Sequence, residues 1–152
     1  MSLKSRRTQT GPPRNMTFSM ECVSHPRELN KLERFLLNVS KAANLDDGTF
    51  YRLHVAASEA VNNAILHGNR SDRKKKVCVR CEVSPAAIRV CVRDEGSGFD
   101  PSLIPNPIAN ENLLRESGRG IFLMRNMTDD VRFHISEHGT MVELIIDLQR
   151  LS

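Results

Sequence analysis

Tryptophan is absent from this 152-residue chain, tyrosine occurs once, and aromatic residues make up 5% of the total. The core must therefore be built from Leu, Ile, Val and Ala, and interleaved aromatic platforms for stacking single-stranded nucleic acid are excluded. Long apolar runs are missing as well: nothing approaches the roughly 20 residues needed to cross a bilayer, and no secretory leader is recognisable. Cysteines are few, namely Cys22, Cys78, Cys81 and Cys91. They are expected as free thiols of a reducing compartment, the cytoplasm. Cys78 and Cys81 have the spacing of a metal pair, but an odd separation along a strand points them to opposite faces, and zinc would need a second ligand pair.

The formal net charge is +4, and much of the excess lies in the first fourteen residues and in the run Arg73-Lys74-Lys75-Lys76. One tail and one loop do not make a binding face, so neither nucleic acid nor membrane is expected as a direct partner. With 39% hydrophobic residues the chain is long enough to bury a core without disulfides or metal.

Residues 1–15, rich in Ser, Thr, Arg, Gly and Pro, are expected as a disordered tail, and residues 16–152 as a single domain. A short strand over Thr17–Val23 precedes Ser24, expected as the N-cap of a helix with Pro26 in its first turn. Leu29, Leu32, Phe35 or Leu36, Val39 and Ala43 recur at helical spacing. Asp46 or Asp47 caps a second helix with an apolar stripe from Phe50 to Ile65, stopped by Gly68. Two hairpins are expected. The first alternates Val77, Val79, Cys81, Val83 and Ile88, Val90, Val92; the second uses Val131, Phe133, Ile135 and Thr140, Val142, Leu144, Ile146, turning at Glu137-His138-Gly139. Between them, Phe99–Ser117 carries three prolines and is too long for a simple connection, which suits a lid; a short helix over Gly118–Met127 follows.

Three polar and glycine signatures stand out in order: Glu59-Ala60-Val61-Asn62-Asn63-Ala64-Ile65-Leu66-His67-Gly68, Asp94-Glu95-Gly96-Ser97-Gly98 and Gly118-Arg119-Gly120. Glu59 and Asn63 are four residues apart, about 40 degrees around a helix, so their side chains share one face. An asparagine oxygen plus phosphate oxygens suits Mg²⁺, and a carboxylate one turn earlier can take a proton from an attacking hydroxyl. The plainer reading is a solvated stripe of Arg52, Glu59 and Asn63. Asp94 shares the inward parity of Ile88, Val90 and Val92, where a carboxylate needs a partner such as an adenine amino group; a turn-forming Asp is the alternative. Thr140 also points inward, either toward a base-binding water network or toward a backbone partner. Gly96 and Gly98 allow close approach of a ligand, and amides at the helix start near Gly118 and Gly120 attract phosphate.

Taken together, the three signatures resemble the asparagine box and two glycine boxes of the GHKL superfamily of histidine-kinase-like ATPases. Within it, the first signature and Ser117-Gly118-Arg119-Gly120-Ile121-Phe122-Leu123-Met124 resemble the anti-sigma-factor serine/threonine kinases. The resemblance implies a Bergerat-type α/β two-layer sandwich, with helices on one face of a mixed, mainly antiparallel sheet. It implies ATP or ADP with Mg²⁺: Glu59 as catalytic base, Asn63 on Mg²⁺, Asp94 on adenine, Gly96, Gly98, Gly118, Arg119 and Gly120 lining the nucleotide and its lid, and Thr140 near the base. The partners implied are an anti-anti-sigma protein as substrate, a sigma factor to sequester, and a second copy in a homodimer. One departure is Glu116, which stands where such kinases can carry a basic residue before the Ser-Gly; Arg115 and Arg119 flank it. That position keeps open a regulatory module that binds nucleotide, or none, and sequesters a partner without kinase activity.

Overall fold

The computed structural model describes residues 15–97 and 116–148, with only the backbone given for 116–118. Strand β1 (Met16–Val23) leads through a single 3-10 turn (Pro26–Glu28) into α1 (Leu29–Ala43). Helix α2 (Asp47–Asn63) continues through one π-helical turn, Ala64–Gly68. Then come β2 (Lys76–Val83), β3 (Ala87–Arg93), α3 (Glu116–Met127), β4 (Asp130–Ser136) and β5 (Gly139–Asp147). The proposed tail and the lid segment fall largely on residues outside the described ones, as does Gly98.

The five strands form one sheet in the order β1-β2-β3-β5-β4. A mixed, mainly antiparallel sheet was the expectation; all four pairings among the described residues are antiparallel. Strands joined by hairpins run antiparallel by construction, and β3 meets β5 in the same sense. The two-residue period holds as expected. Val77, Val79, Cys81, Val83, Ile88, Val90, Val92, Val142, Leu144 and Ile146 are all buried beneath the helices. Cys81 joins them and Cys78 takes the opposite face, and all four thiols are free. Burial pushes the Cys81 thiol up to about 12 and that of Cys22 up to about 11, which leaves both unreactive near neutrality. On the open face, Glu143 is buried under Arg89 and Arg132, so its charge is matched by two guanidiniums.

Helix α1 buries Leu32, Leu36, Val39 and Ala43, one stripe at the expected spacing, and ends at Asn44 in the left-handed region (φ 52°). Asp46 caps α2 by accepting from the Thr49 amide at 2.6 Å. Ser24 is not the cap of the first helical segment. That place belongs to His25, whose Nδ1 accepts from Arg27 N at 3.1 Å, because Ser24 is drawn inward to donate to Lys75 O. Gly68 is also no left-handed stop: the positive φ values here fall on Arg70 (51°) and Ser71 (57°). A different constraint holds position 68 to glycine.

Leu36 is fully buried whereas Tyr51 is 59% exposed. Leu36→Ala should lower unfolding free energy by about 2–5 kcal/mol, and Tyr51→Ala by no more than about 0.5 kcal/mol, in urea titrations followed by circular dichroism.

Candidate active site

Arg52, Glu59 and Asn63 lie along the side of α2 that meets α3. This is not a solvated stripe: Asn63 is 5% exposed, and Glu59 is partly buried. Arg52 donates Nε to Met127 O (2.9 Å) and pairs through Nη2 with Asp129 (3.2 Å), so it clamps the C-terminal end of α3. At the other end Gly120 rests on the two polar side chains. A Cβ there would stand 2.9 Å from Glu59 Oε2 and 3.1 Å from Asn63 Nδ2. Helix α3 is described over Glu116–Met127, so the expected stretch Gly118–Met127 is helical. Gly120 serves the packing on α2.

Burial raises the Glu59 carboxyl above its ordinary value of 4.5, and the positive charge of Arg119 opposes part of that rise. A carboxylate made reluctant to ionise holds a proton more strongly, the property a general base requires.

One π turn beyond Asn63, the same helix reaches Asp94. The π geometry is closed by Asn69 N donating to Ala64 O at 2.8 Å, and it swings Gly68 against the end of β3. A Cβ on Gly68 would lie 2.1 Å from Asp94 Oδ2 and 2.4 Å from Cγ, which is why no larger residue fits. Asp94 is 3% exposed and faces inward as its parity predicted. Its Oδ1 accepts from Gly96 N and from Thr140 N, each at 3.0 Å, while its own amide donates to Thr140 O at 3.0 Å. Gly139, with φ of 138°, lets β5 begin directly on this carboxylate's backbone.

Beside it, Thr140 Oγ1 is the one buried side-chain oxygen or nitrogen among the described residues with no hydrogen-bond partner. A buried hydroxyl without a partner costs free energy unless a ligand or water completes it. Asp94 Oδ2 takes no bond from the described residues. A carboxylate oxygen free to accept, beside a residue whose hydroxyl lacks a partner, suits the amino edge of a purine.

Of the residues expected at the site, Glu59, Asn63 and Gly120 meet at one junction, and Asp94, Gly96 and Thr140 meet at a second, with α2 linking them. Arg119 is exposed at the mouth of the first. Sequence reasoning missed Asn69, which is 1% exposed and bonded to three segments, and it missed the Arg52–Asp129 clamp. An amide directly after Gly68 was a signal for Asn69, passed over because the helix was taken to end there. His67, next to Gly68, is exposed.

A family model described as the histidine kinase-like ATPase domain matches residues 22–146. The chain is 34% identical over 104 residues to the serine-protein kinase RsbW of Bacillus licheniformis, a stretch covering 64% of this chain and 64% of that protein. To the anti-sigma F factor of Bacillus subtilis it is 33% identical over 101 residues, covering 64% of this chain and 69% of that protein. The chain therefore spans just under two thirds of the length of the RsbW kinase. A crystal structure of RsbU and RsbW domains from Mycobacterium tuberculosis superposes with a TM-score of 0.65 at 16% identity, over 86% of this chain and 32% of that one. A histidine kinase domain from Erythrobacter litoralis gives 0.55 at 18% identity, over 82% and 61% respectively. At these identities the superpositions speak for the fold alone.

The two glycine contacts should separate in stability measurements. Gly68→Ala must displace a buried carboxylate held by two amides and is expected to cost about 1–3 kcal/mol. Gly120→Ala meets only the movable tip of Glu59 and gains about 1 kcal/mol of helix propensity, so its urea midpoint should stay close to wild type.

Proposed function

The chain belongs to the histidine kinase-like ATPase family, and from that premise we propose that it is an ATP-dependent serine/threonine protein kinase acting as an anti-sigma factor. It phosphorylates an anti-anti-sigma protein and sequesters a sigma factor, in the cytoplasm and as a homodimer, with nucleotide state deciding which partner is held. Names of the curated relatives support this role. No helix among the described residues is long and apolar enough to cross a membrane. The observation that carries the nucleotide reading is the orphaned Thr140 hydroxyl, buried on the residue whose amide donates to the Asp94 carboxylate.

Bound Mg²⁺ and ATP would supply the γ-phosphoryl group and the divalent charge that neutralises it in transfer. Asp94 accepts from the adenine amino group, and Thr140 shares the water beside it. The Asn63 side-chain oxygen would hold the metal ion. Glu59 orients the serine or threonine hydroxyl of the substrate and takes its proton. Gly118, Arg119 and Gly120 would line the nucleotide, and the Arg119 guanidinium would offer the positive charge that Glu116 does not.

Glu59→Gln should lower transfer of labelled phosphate from ATP to the cognate anti-anti-sigma protein by about 10²-fold or more, with ATP still bound. Its melting temperature at neutral pH should be no lower than wild type, since the folded protein sheds a partly desolvated charge. Asp94→Asn should weaken ATP binding by about tenfold or more in calorimetry. Retained transfer by Glu59→Gln would remove the base; ATP binding without transfer by the wild type would identify a regulatory module that only sequesters its partner.

Glu59 acts only when ionised, and its proton affinity is raised, so the acid limb of kcat/KM should lie above that of an ordinary glutamate. Arg119 lowers that affinity. Arg119→Ala should therefore move the limb to higher pH, by an amount that shrinks with added salt in wild type as screening mimics the loss.

A further inference from the structure

Asn69 has no part in the chemistry above, yet it is among the most buried polar residues of the chain, at 1% exposure. Its carboxamide is used in three directions. Nδ2 donates to Ser24 Oγ at 2.8 Å, at the corner where β1 gives way to α1, and to Lys76 O at 3.0 Å, at the start of β2. Oδ1 accepts from Glu95 N at 2.7 Å. Glu95 is the residue immediately after Asp94, and its side chain in turn accepts from Lys76 N at 3.0 Å.

We propose that Asn69 is a positioning residue for base recognition: through the Glu95 amide it fixes the turn 94–96 and so sets where the Asp94 carboxylate stands relative to Thr140. The proposal rests on the ATP reading of that site. The turn is held from several sides. Gly68 bounds Asp94 sterically, and Gly68 O would lie 2.0 Å from a Cβ on Gly96, so the two backbones are already in contact. Opposite, β5 holds Asp94 through the Thr140 amide and carbonyl and through Gly139, where a Cβ would lie 2.1 Å from Asp94 O. The Asn69–Glu95 bond ties the middle of the turn between those two holds. Because the donors of the same amide are anchored on two other segments, the bond has a fixed base rather than a swinging side chain.

The consequence concerns selectivity and not merely stability. Adenine offers a donor at its six-position where guanine offers an acceptor, so a fixed carboxylate accepts the first and repels the second. A carboxylate free to shift loses part of that difference. Ser24 supplies the control, since Ser24→Ala breaks bonds on the anchoring side of the network and leaves Glu95 untouched.

Affinities of ATP and GTP, measured by calorimetry alongside melting temperatures, test this. Asn69→Ala should weaken ATP by about tenfold and shrink the ATP-over-GTP ratio by a similar factor, the worth of one hydrogen bond to a buried site. Ser24→Ala should melt lower than wild type with that ratio preserved. Asn69→Asp keeps an oxygen for Glu95 N but loses both donors, so it should melt lower while retaining the selectivity that Asn69→Ala loses. Should the alanine variant fail to fold, hydrogen exchange on the wild type decides: the Glu95 amide, on an exposed residue, should be protected well beyond a loop amide. An ATP-over-GTP ratio unchanged in Asn69→Ala, or free exchange at Glu95, overturns the proposal while leaving nucleotide binding intact. Wild-type protein that binds neither nucleotide overturns both.

Discussion

A carboxylate buried at the end of a central strand is the constraint around which this molecule is arranged. Asp94 cannot be left without partners in an aliphatic interior, and the chain meets the demand with two amides, Gly96 in the next turn and Thr140 on β5, while Gly68 packs against the carboxylate. Each contact requires a particular local geometry. The π turn at 64–68 aims Gly68, and Gly139 with its positive φ brings β5 in close. The sheet core and the helix layer are ordinary packing; their junction at Asp94 is where the fold becomes specific.

The second junction is of another kind. Glu59 and Asn63 are held against Gly120 by the packing of α3 on α2, and the carboxylate stands in a setting that disfavours its charge. A protein optimised only for stability would place a neutral side chain there. Keeping a strained ionisable group at the meeting of two helices fits the view that sites of chemistry are drawn from locally unfavourable arrangements.

Much of this was legible beforehand because it depends on short-range periodicity. Strand alternation put Asp94 and Thr140 on the inward face with Val92 and Val142, and helical spacing put Glu59 with Asn63; both rules act within a few residues. The misreadings share the opposite character. Ser24 looked like a cap because serine before Pro26 favours one locally, but its hydroxyl is claimed by Lys75 and Asn69, 45 or more residues away. Gly68 looked like a helix stop, whereas its missing side chain answers to a carboxylate 26 positions further on. Arg52 and Asp129 pair across 77 residues. Local propensity carries no record of such tethers, since they exist only once the sheet has closed.

Helix α3 is fastened unequally along its length. Its far end is gripped by a guanidinium and an aspartate, its middle is buried through Ile121 and Met124, and its glycine end leans on two polar side chains of α2. That asymmetry makes it a lever with a fixed fulcrum. From Gly118 to Met127 the rise is about 14 Å, so a tilt of roughly ten degrees at the Arg52 grip carries the glycine end about 2 Å, comparable to the difference between touching a phosphate oxygen and missing it. Small changes in how α2 presents Glu59 and Asn63 are thereby carried directly to where the first glycines sit.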